Sequence, residues 1–283
     1  MRAFHSNWTK PFFVRHTGSY FIEDFELLTT ILSALKWQSI GGDIQMITDS
    51  VGATYYKNLG IEKIWNLGID DSLEQNMDKK LNPNTFWAAG KIYALEKQSG
   101  SCVMLDTDFI VWENLEEVLC QHDLAVIHRE ALQEEVYPPK EKLKMLKSYH
   151  YPEKWDWSLQ PCNTAFAFFK EDALRTHYVK ESIRFMKGVE GEDPLIYMVF
   201  AEQRLLAMCA AEKGIDIFAL SNIDELFHSK QTLFTHVWGY KKQIRSNKKA
   251  REQFCGRCIK RIKKDFPSYY PLLERIDCLQ VYL

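Results

Sequence analysis

The sequence predicts an α/β fold in which a parallel sheet carries helices on its faces. Short apolar runs of strand length alternate with longer stretches of helical spacing from the N-terminus onward. The strand-like runs at 3–5, 43–49 and 102–105 each lead into polar or acidic residues, as strands of an open sheet do where their carboxyl ends face a ligand. With 283 residues and 46% apolar side chains the chain can build one large domain with insertions, or two domains.

Ala3 to His5 alternates small and aromatic residues and then meets Ser6 and Asn7, which makes it a first strand with its end near a ligand. Phe25, Leu28, Leu32 and Leu35 recur at helical spacing, and Gly41-Gly42 stops that helix. Asp43 to Asp49 reads as the second strand, Val51 to Leu59 as a helix and Glu62 to Trp65 as a short third strand. Asn82-Pro83-Asn84 caps a helix over Thr85 to Leu95 that carries Lys91, a residue that on a helix is ordinarily a solvated one.

That helix leads into the central stretch, Cys102-Val-Met-Leu-Asp106-Thr-Asp108-Phe-Ile-Val-Trp112. A buried strand cannot hide two unpaired carboxylates, so Asp106 and Asp108 belong at its carboxyl end, facing a cleft. Alternate residues of an extended segment point the same way, which lets both acids converge on one hard divalent cation, Mg²⁺ or Mn²⁺. The plainer reading is a solvated Asp-Thr-Asp turn.

Asn114 to Leu119 reads as a short helix and Asp123 to His128 as a strand. Residues 129–160 leave the pattern with Pro138-Pro139, a lysine-rich stretch and two tryptophans, Trp155 and Trp157, whose rings look exposed. Such excursions often carry specificity. A strand returns at Cys162 to Phe169, opening with Asn163, and helices follow over 170–187 and 194–212. The second bears Glu202-Gln203-Arg204, a triplet that more often lies on a surface than in a site. A strand over 215–220 precedes Leu233 to Lys242, where His236 can complete a metal site begun by carboxylates. There Gly239 permits close backbone approach, and Lys241 and Lys242 can neutralise phosphate.

Residues 241–264 interleave lysine and arginine with apolar positions, which gives a basic amphipathic helix or helix pair, either solvated or set against an anionic membrane surface. Within it Cys255-Gly-Arg-Cys258 is half of a zinc pattern without a second pair, and a helix is favoured. A net charge of −2 argues against a dedicated nucleic-acid binder. The start lacks a secretory apolar core, no window reads as a membrane span, and seven scattered cysteines fit a reducing compartment. A cytoplasmic protein is expected, peripheral at most to the inner face of a membrane.

The order of these pieces resembles the glycogenin-like, family 8-like retaining glycosyltransferases of the GT-A fold. The matching features are a helix with Lys91, the Leu105-Asp-Thr-Asp108 strand, the Cys162-Asn-Thr-Ala-Phe strand, Glu202-Gln203, and His236-x-x-Gly239-x-x-Lys242. The chain is also similar to bacterial surface-polysaccharide transferases. Two positions depart: Glu202-Gln203 stands for the family's Asp-Gln, and Gln243-Ile244 for the Pro-Trp after its lysine. The resemblance implies a Rossmann-type mixed, mostly parallel sheet over residues 1–245; beside it, the aromatic rings of 129–160 suggest an acceptor-side insertion, and the charge pattern makes 246–283 a basic helical extension. The resemblance also implies that Asp106, Asp108 and His236 hold Mn²⁺ or Mg²⁺ on the diphosphate of a sugar nucleotide, with Lys241, Lys242 and Gly239 beside the phosphates. Lys91 and Asn163 would touch the donor sugar, Glu202 or Gln203 would lie by the anomeric carbon, and Ser6, Asn7 and Asp49 would contact base and ribose. Transfer would go to a glycan or lipid-linked acceptor, with Trp155 and Trp157 stacking on its sugars. Two other readings are a sugar-nucleotide or glycan binder without turnover and an Asp-nucleophile phosphatase. The phosphatase motif ordinarily follows a first strand, whereas this one comes in the middle of the chain.

Overall fold

The computed structural model describes residues 1–228 and 231–283. Its main sheet contains β1 (Arg2–Asn7), β2 (Asp43–Thr48), β3 (Ile69–Asp70), β4 (Cys102–Leu105), β6 (Leu124–Val126), β7 (Phe166–Phe169) and β8 (Ile217–Ala219), in the order β3-β2-β1-β4-β7-β6-β8. β7 runs antiparallel to both β4 and β6, and the other pairings are parallel. A separate two-stranded ribbon pairs β5 (Phe109–Val111) with β9 (Phe234–His236). The mixed, mostly parallel sheet flanked by helices, with a helical C-terminal region, is therefore present.

Side-chain alternation along each strand divides the interior in two. Ala3, Met46, Val103, Phe166 and Phe168 face one core together with the helix Asp24–Ser39 and the C-terminal helix Lys248–Asp265. Phe4, Ile47, Met104, Ala167 and Phe169 face the other, with helices Ala89–Glu96, Asp172–Gly188 and Leu205–Glu212. Each fully buried large apolar side chain contributes about 1.5–3 kcal/mol to this arrangement.

Four expectations change. Glu62–Ile64 is a 3₁₀ turn, not a strand: Ile61, Ile64 and Trp65 are all drawn into the core, and the third strand forms beyond Gly68, whose φ of 75° suits glycine. The helix bearing Lys91 starts at Ala89, later than the Asn82 cap suggested. The run Pro194–Glu212 has the length and hydropathy of a membrane span, but 72% of it is buried within the protein, as a core helix is. Trp155 is only 4% exposed and packs against Tyr151, Trp157 and Phe200, so it is a core residue. The basic C-terminal stretch forms two helices, Lys241–Ser246 and Lys248–Asp265. Arg245 and Arg251 tie them to Glu23, Asp24 and Glu26 at the start of the Asp24–Ser39 helix. Cys255 and Cys258 are buried there as free thiols, pushed up to about 12 by burial, which keeps them protonated.

One buried polar chain crosses the first core. Trp65 Nε1 donates to His5 Nδ1 (3.2 Å), which leaves His5 Nε2 to donate to Ser33 Oγ (3.1 Å), and Ser33 donates to the Phe109 carbonyl (2.5 Å). Burial drives His5 from 6.5 down to about 3, against a weak opposing pull from Asp106. The unfolded chain binds this proton near pH 6.5 and the folded chain does not. His5 therefore contributes stability above pH 6.5 that is lost as the pH falls toward 3. Between pH 7 and 5.5 the loss is about 1 kcal/mol. Urea unfolding of wild type and His5→Asn at the two pH values should show that part of the slope vanishing in the variant, and equal slopes would refute this account.

Candidate active site

A cleft of about 360 Å³ opens where the strand order reverses between β1 and β4. Ser6 and Asn7 from the end of β1, Lys91, Asp106, Asp108, Asn163, Glu202, Gln203, His236 and Lys241 all line it. Sequence elements from the whole length of the chain thus meet in one wall. Trp87 and Trp238 flank it, 48% and 54% exposed.

β4 ends at Leu105, and the next residues turn instead of continuing extended. Asp106 N–H donates to the Ala165 carbonyl (2.8 Å), and Phe109 N–H donates back to the Asp106 carbonyl (3.0 Å). The two acids therefore converge through a turn, not through strand alternation. The chain emerges from that turn as β5, whose Phe109 pairs with His236 of β9. Val237 N–H extends the ribbon to the Asp108 carbonyl (3.3 Å).

The ligand atoms of Asp106, Asp108 and His236 lie within 4.8 Å of one another. Two oxygens opposite each other on a Mg²⁺-sized ion are about 4.2 Å apart, so a small closure would bring all three onto one cation. Asp108 Oδ2 accepts no well-formed hydrogen bond, although Lys241 Nζ stands 3.0 Å away and His236 Nε2 3.9 Å away. Burial works to raise the Asp108 carboxyl, but Lys241 and His236 outweigh it and hold it below the usual carboxylate range. Burial also holds His236 below the ordinary histidine range, against the pull of Asp108 and Asp106. Neutral imidazole is the ligating form, so the donor set fits a hard divalent ion.

Lys91 forms a second charged cluster. Its ammonium lies 2.7 Å from Asp106 Oδ1, pairs closely with Glu202 Oε1 and reaches the Thr164 carbonyl (3.3 Å). Burial opposes its charge, but Asp106 and Glu202 prevail and hold it above the ordinary lysine range. Three acids, Asp106, Asp108 and Glu202, meet two lysines, Lys91 and Lys241, at the wall, and Lys241 also reaches Glu26 behind it (3.6 Å).

Glu202 and Gln203 sit in a π-helical segment, Phe200–Arg204, inserted in the run from Pro194 to Glu212. The wider turn disturbs the regular ladder. Tyr178 donates to the Glu202 carbonyl (2.6 Å) and Ser182 to the Ala201 carbonyl (2.8 Å). Sequence reasoning missed two supports. Glu130 accepts from Asn163 Nδ2 (3.0 Å), and the Tyr137 hydroxyl stands 2.6 Å from both Glu130 Oε2 and Gln203 Oε1. Both lie in the 129–160 stretch, where nothing in the pattern marked them as facing the cleft.

Three expected contacts are not brought to the wall. Asp49 is buried and consumed by structure: its carboxylate accepts from Thr9 N–H (2.7 Å), from the Thr9 hydroxyl and from Gly52 N–H (2.9 Å), capping the helix Ser50–Asn58. Gly239 lies in a 3₁₀ turn outside the lining, and Lys242 is exposed on the next helix, also outside it.

Fold and site together define an α/β protein whose cleft combines a carboxylate and imidazole cluster with two lysines. A family model matches residues 1–276, and the chain belongs to that family of unknown function, DUF6734. No curated protein matches the chain. Among solved structures it is similar to mouse xyloside xylosyltransferase 1, at 10% identity over 78% of this chain and 84% of that one, with a TM-score of 0.41. It is similar to a nucleoside-diphosphate-sugar pyrophosphorylase from Vibrio cholerae RC9, at 14% identity, 80% and 93% coverage and a TM-score of 0.39. It is also similar to the galactosyltransferase LgtC in complex with donor and acceptor sugar analogues, at 12% identity, 72% and 71% coverage and a TM-score of 0.35. Likenesses this distant carry nothing about activity.

Calorimetric titration with Mn²⁺ tests the cluster. Asp108→Asn should weaken binding by at least about tenfold, since even the loss of a group supporting a ligand costs that much. Lys241→Met should tighten it, because the ammonium now competes for Asp108 Oδ2. Equal affinities in all three proteins would exclude this site.

Proposed function

We propose that the protein is a metal-dependent glycosyltransferase that moves a sugar, with retention, from a nucleoside-diphosphate sugar to a hydroxyl of a glycan or lipid-linked acceptor, in the building of a polysaccharide. The observation that carries this reading is the meeting of Asp106, Asp108 and His236 within 4.8 Å, beside Lys241, at the carboxyl end of β4. The cleft volume falls within the roughly 300–1,000 Å³ usual for small-molecule sites.

In the transfer, the bond between the anomeric carbon and the diphosphate oxygen breaks, and its electron pair stays on the diphosphate. The acceptor oxygen bonds to the same carbon, and its proton passes to the departing phosphate. Asp106, Asp108 and His236 would hold Mn²⁺ or Mg²⁺, which supplies neutralisation of the leaving diphosphate. Lys241, 3.0 Å from Asp108 and 3.6 Å from Glu26 on the cleft wall, would set its positive charge beside the phosphates. Lys91 positions Asp106 and Glu202 by pairing with both. Gln203, held by Tyr137, and Asn163, held by Glu130 and by Ala165 N–H, would line the place of the sugar and fix its orientation.

The resting pairing of both lysines with the acids favours a second reading, a binder of sugar nucleotide that needs no ion and turns nothing over. One assay decides between them. A panel of sugar nucleotides with and without Mn²⁺ should give metal-dependent release of nucleoside diphosphate, and Asp108→Ala should lower its rate by about 100- to 1,000-fold while the fold is kept. Donor binding without metal and without turnover would establish the binder instead.

A further inference from the structure

A second concavity, of about 500 Å³, opens on the 129–160 stretch behind the wall that Gln203 gives to the cleft. Tyr137 is the partition: its ring lines this groove, and its hydroxyl touches Gln203 on the other side (2.6 Å). Arg204 forms the floor. It is 3% exposed and donates to the carbonyls of Tyr137 (3.0 Å), Pro138 (3.1 Å) and Trp157 (2.7 Å), while its Nε–H has no acceptor.

Trp157 lines the groove above that floor. The Arg204 guanidinium lies 5.1 Å from its ring centroid, Tyr151 meets it edge-on at 5.1 Å, and Phe200 packs at 5.5 Å. The indole is therefore held rigidly, and ordering it on binding costs little. Around it stand Glu134, Lys140 and Glu141, exposed and charged. A fixed aromatic face within a polar rim matches a pyranose, whose C–H face stacks on a ring while its hydroxyls bond to charged groups. Among the described residues the buried Nε–H of Arg204 has no acceptor, so the floor still carries an unspent donor.

We propose that this groove is a saccharide subsite that holds sugar units of the acceptor chain away from the reacting one. Its role as an acceptor site rests on the transferase reading, and the Tyr137–Gln203 contact links it to the cleft. The saccharide class itself rests on the groove alone. Of the two tryptophans in the stretch, Trp157 belongs to the subsite and Trp155 to the core.

The test is binding of linear oligosaccharides, one to six sugars long, from a printed glycan array, followed by titration of the bound ones without donor. Trp157→Ala removes the platform. Leu132→Arg, at a position 40% exposed, blocks the groove from the surface without touching the core. Affinity should rise with chain length, and both variants should lose at least tenfold for the longer chains while Mn²⁺ binding stays unchanged. Affinity independent of length, unchanged affinity in Leu132→Arg, or no oligosaccharide bound would each overturn the proposal. Sugar nucleotide is titrated with Mn²⁺ in parallel. Oligosaccharide binding without sugar-nucleotide binding would uphold the saccharide groove and overturn the transferase reading, and the reverse result would do the opposite.

Discussion

The pairing of Phe109 with His236 across the β5–β9 ribbon is the constraint on which the cleft depends. It fixes two acids from the middle of the chain against an imidazole from near its end. Phe109 stacks on Phe234 at 4.8 Å, and its carbonyl receives Ser33, the last member of the chain that begins at Trp65. The ribbon is thus anchored to the core from behind. Its cleft side carries an arrangement that is incomplete on its own: a buried carboxylate oxygen with a lysine near it but no well-formed hydrogen bond. The nearby lysine and imidazole hold that carboxylate charged, which leaves its oxygen ready for a cation to share.

Lys91 shows how the same cluster survives without a ligand. Paired with both Asp106 and Glu202, it sets a positive charge between two carboxylates of the cleft wall. Ion pairs of this kind add little net stability compared with an apolar core, but removing one partner leaves an uncompensated charge. Their value is geometric: Lys91 makes the positions of the sheet acid and the helix acid depend on each other.

Much of this was legible in the sequence because it rests on local pattern. The strands alternate between two cores as their period of two requires. Asp106 and Asp108 stood out because paired acids at the end of a buried strand need a reason, whereas Lys91 and His236 gained a role only from the order of the motifs as a whole. What could not be read depends on tertiary competition. Glu62 to Trp65 has strand composition, but the Trp65 indole is claimed by His5 and the segment curls inward. Asp49 has the place of a ligand contact, yet Thr9, distant in sequence, takes its carboxylate. Glu130 and Tyr137 belong to a stretch without periodicity, and only the return of that stretch against the site helix gives them a role.

The π-helical segment explains why one short run of residues could serve two surfaces. Glu202 and Gln203 face the cleft, while Arg204 holds the far side of the partition by gripping residues 137, 138 and 157 through their carbonyls. A regular helix would bond its own carbonyls along this run; here Tyr178 and Ser182 hold two of them. Widening the turn therefore costs little in unsatisfied groups, and it sets consecutive side chains toward opposite concavities. The floor of the groove and the wall of the cleft are then one backbone segment, so a shift of the 129–160 stretch would be felt at Gln203 through Tyr137 and at Arg204 directly. Whatever lodges against Trp157 is in mechanical contact, through Arg204, with the segment that walls the cleft.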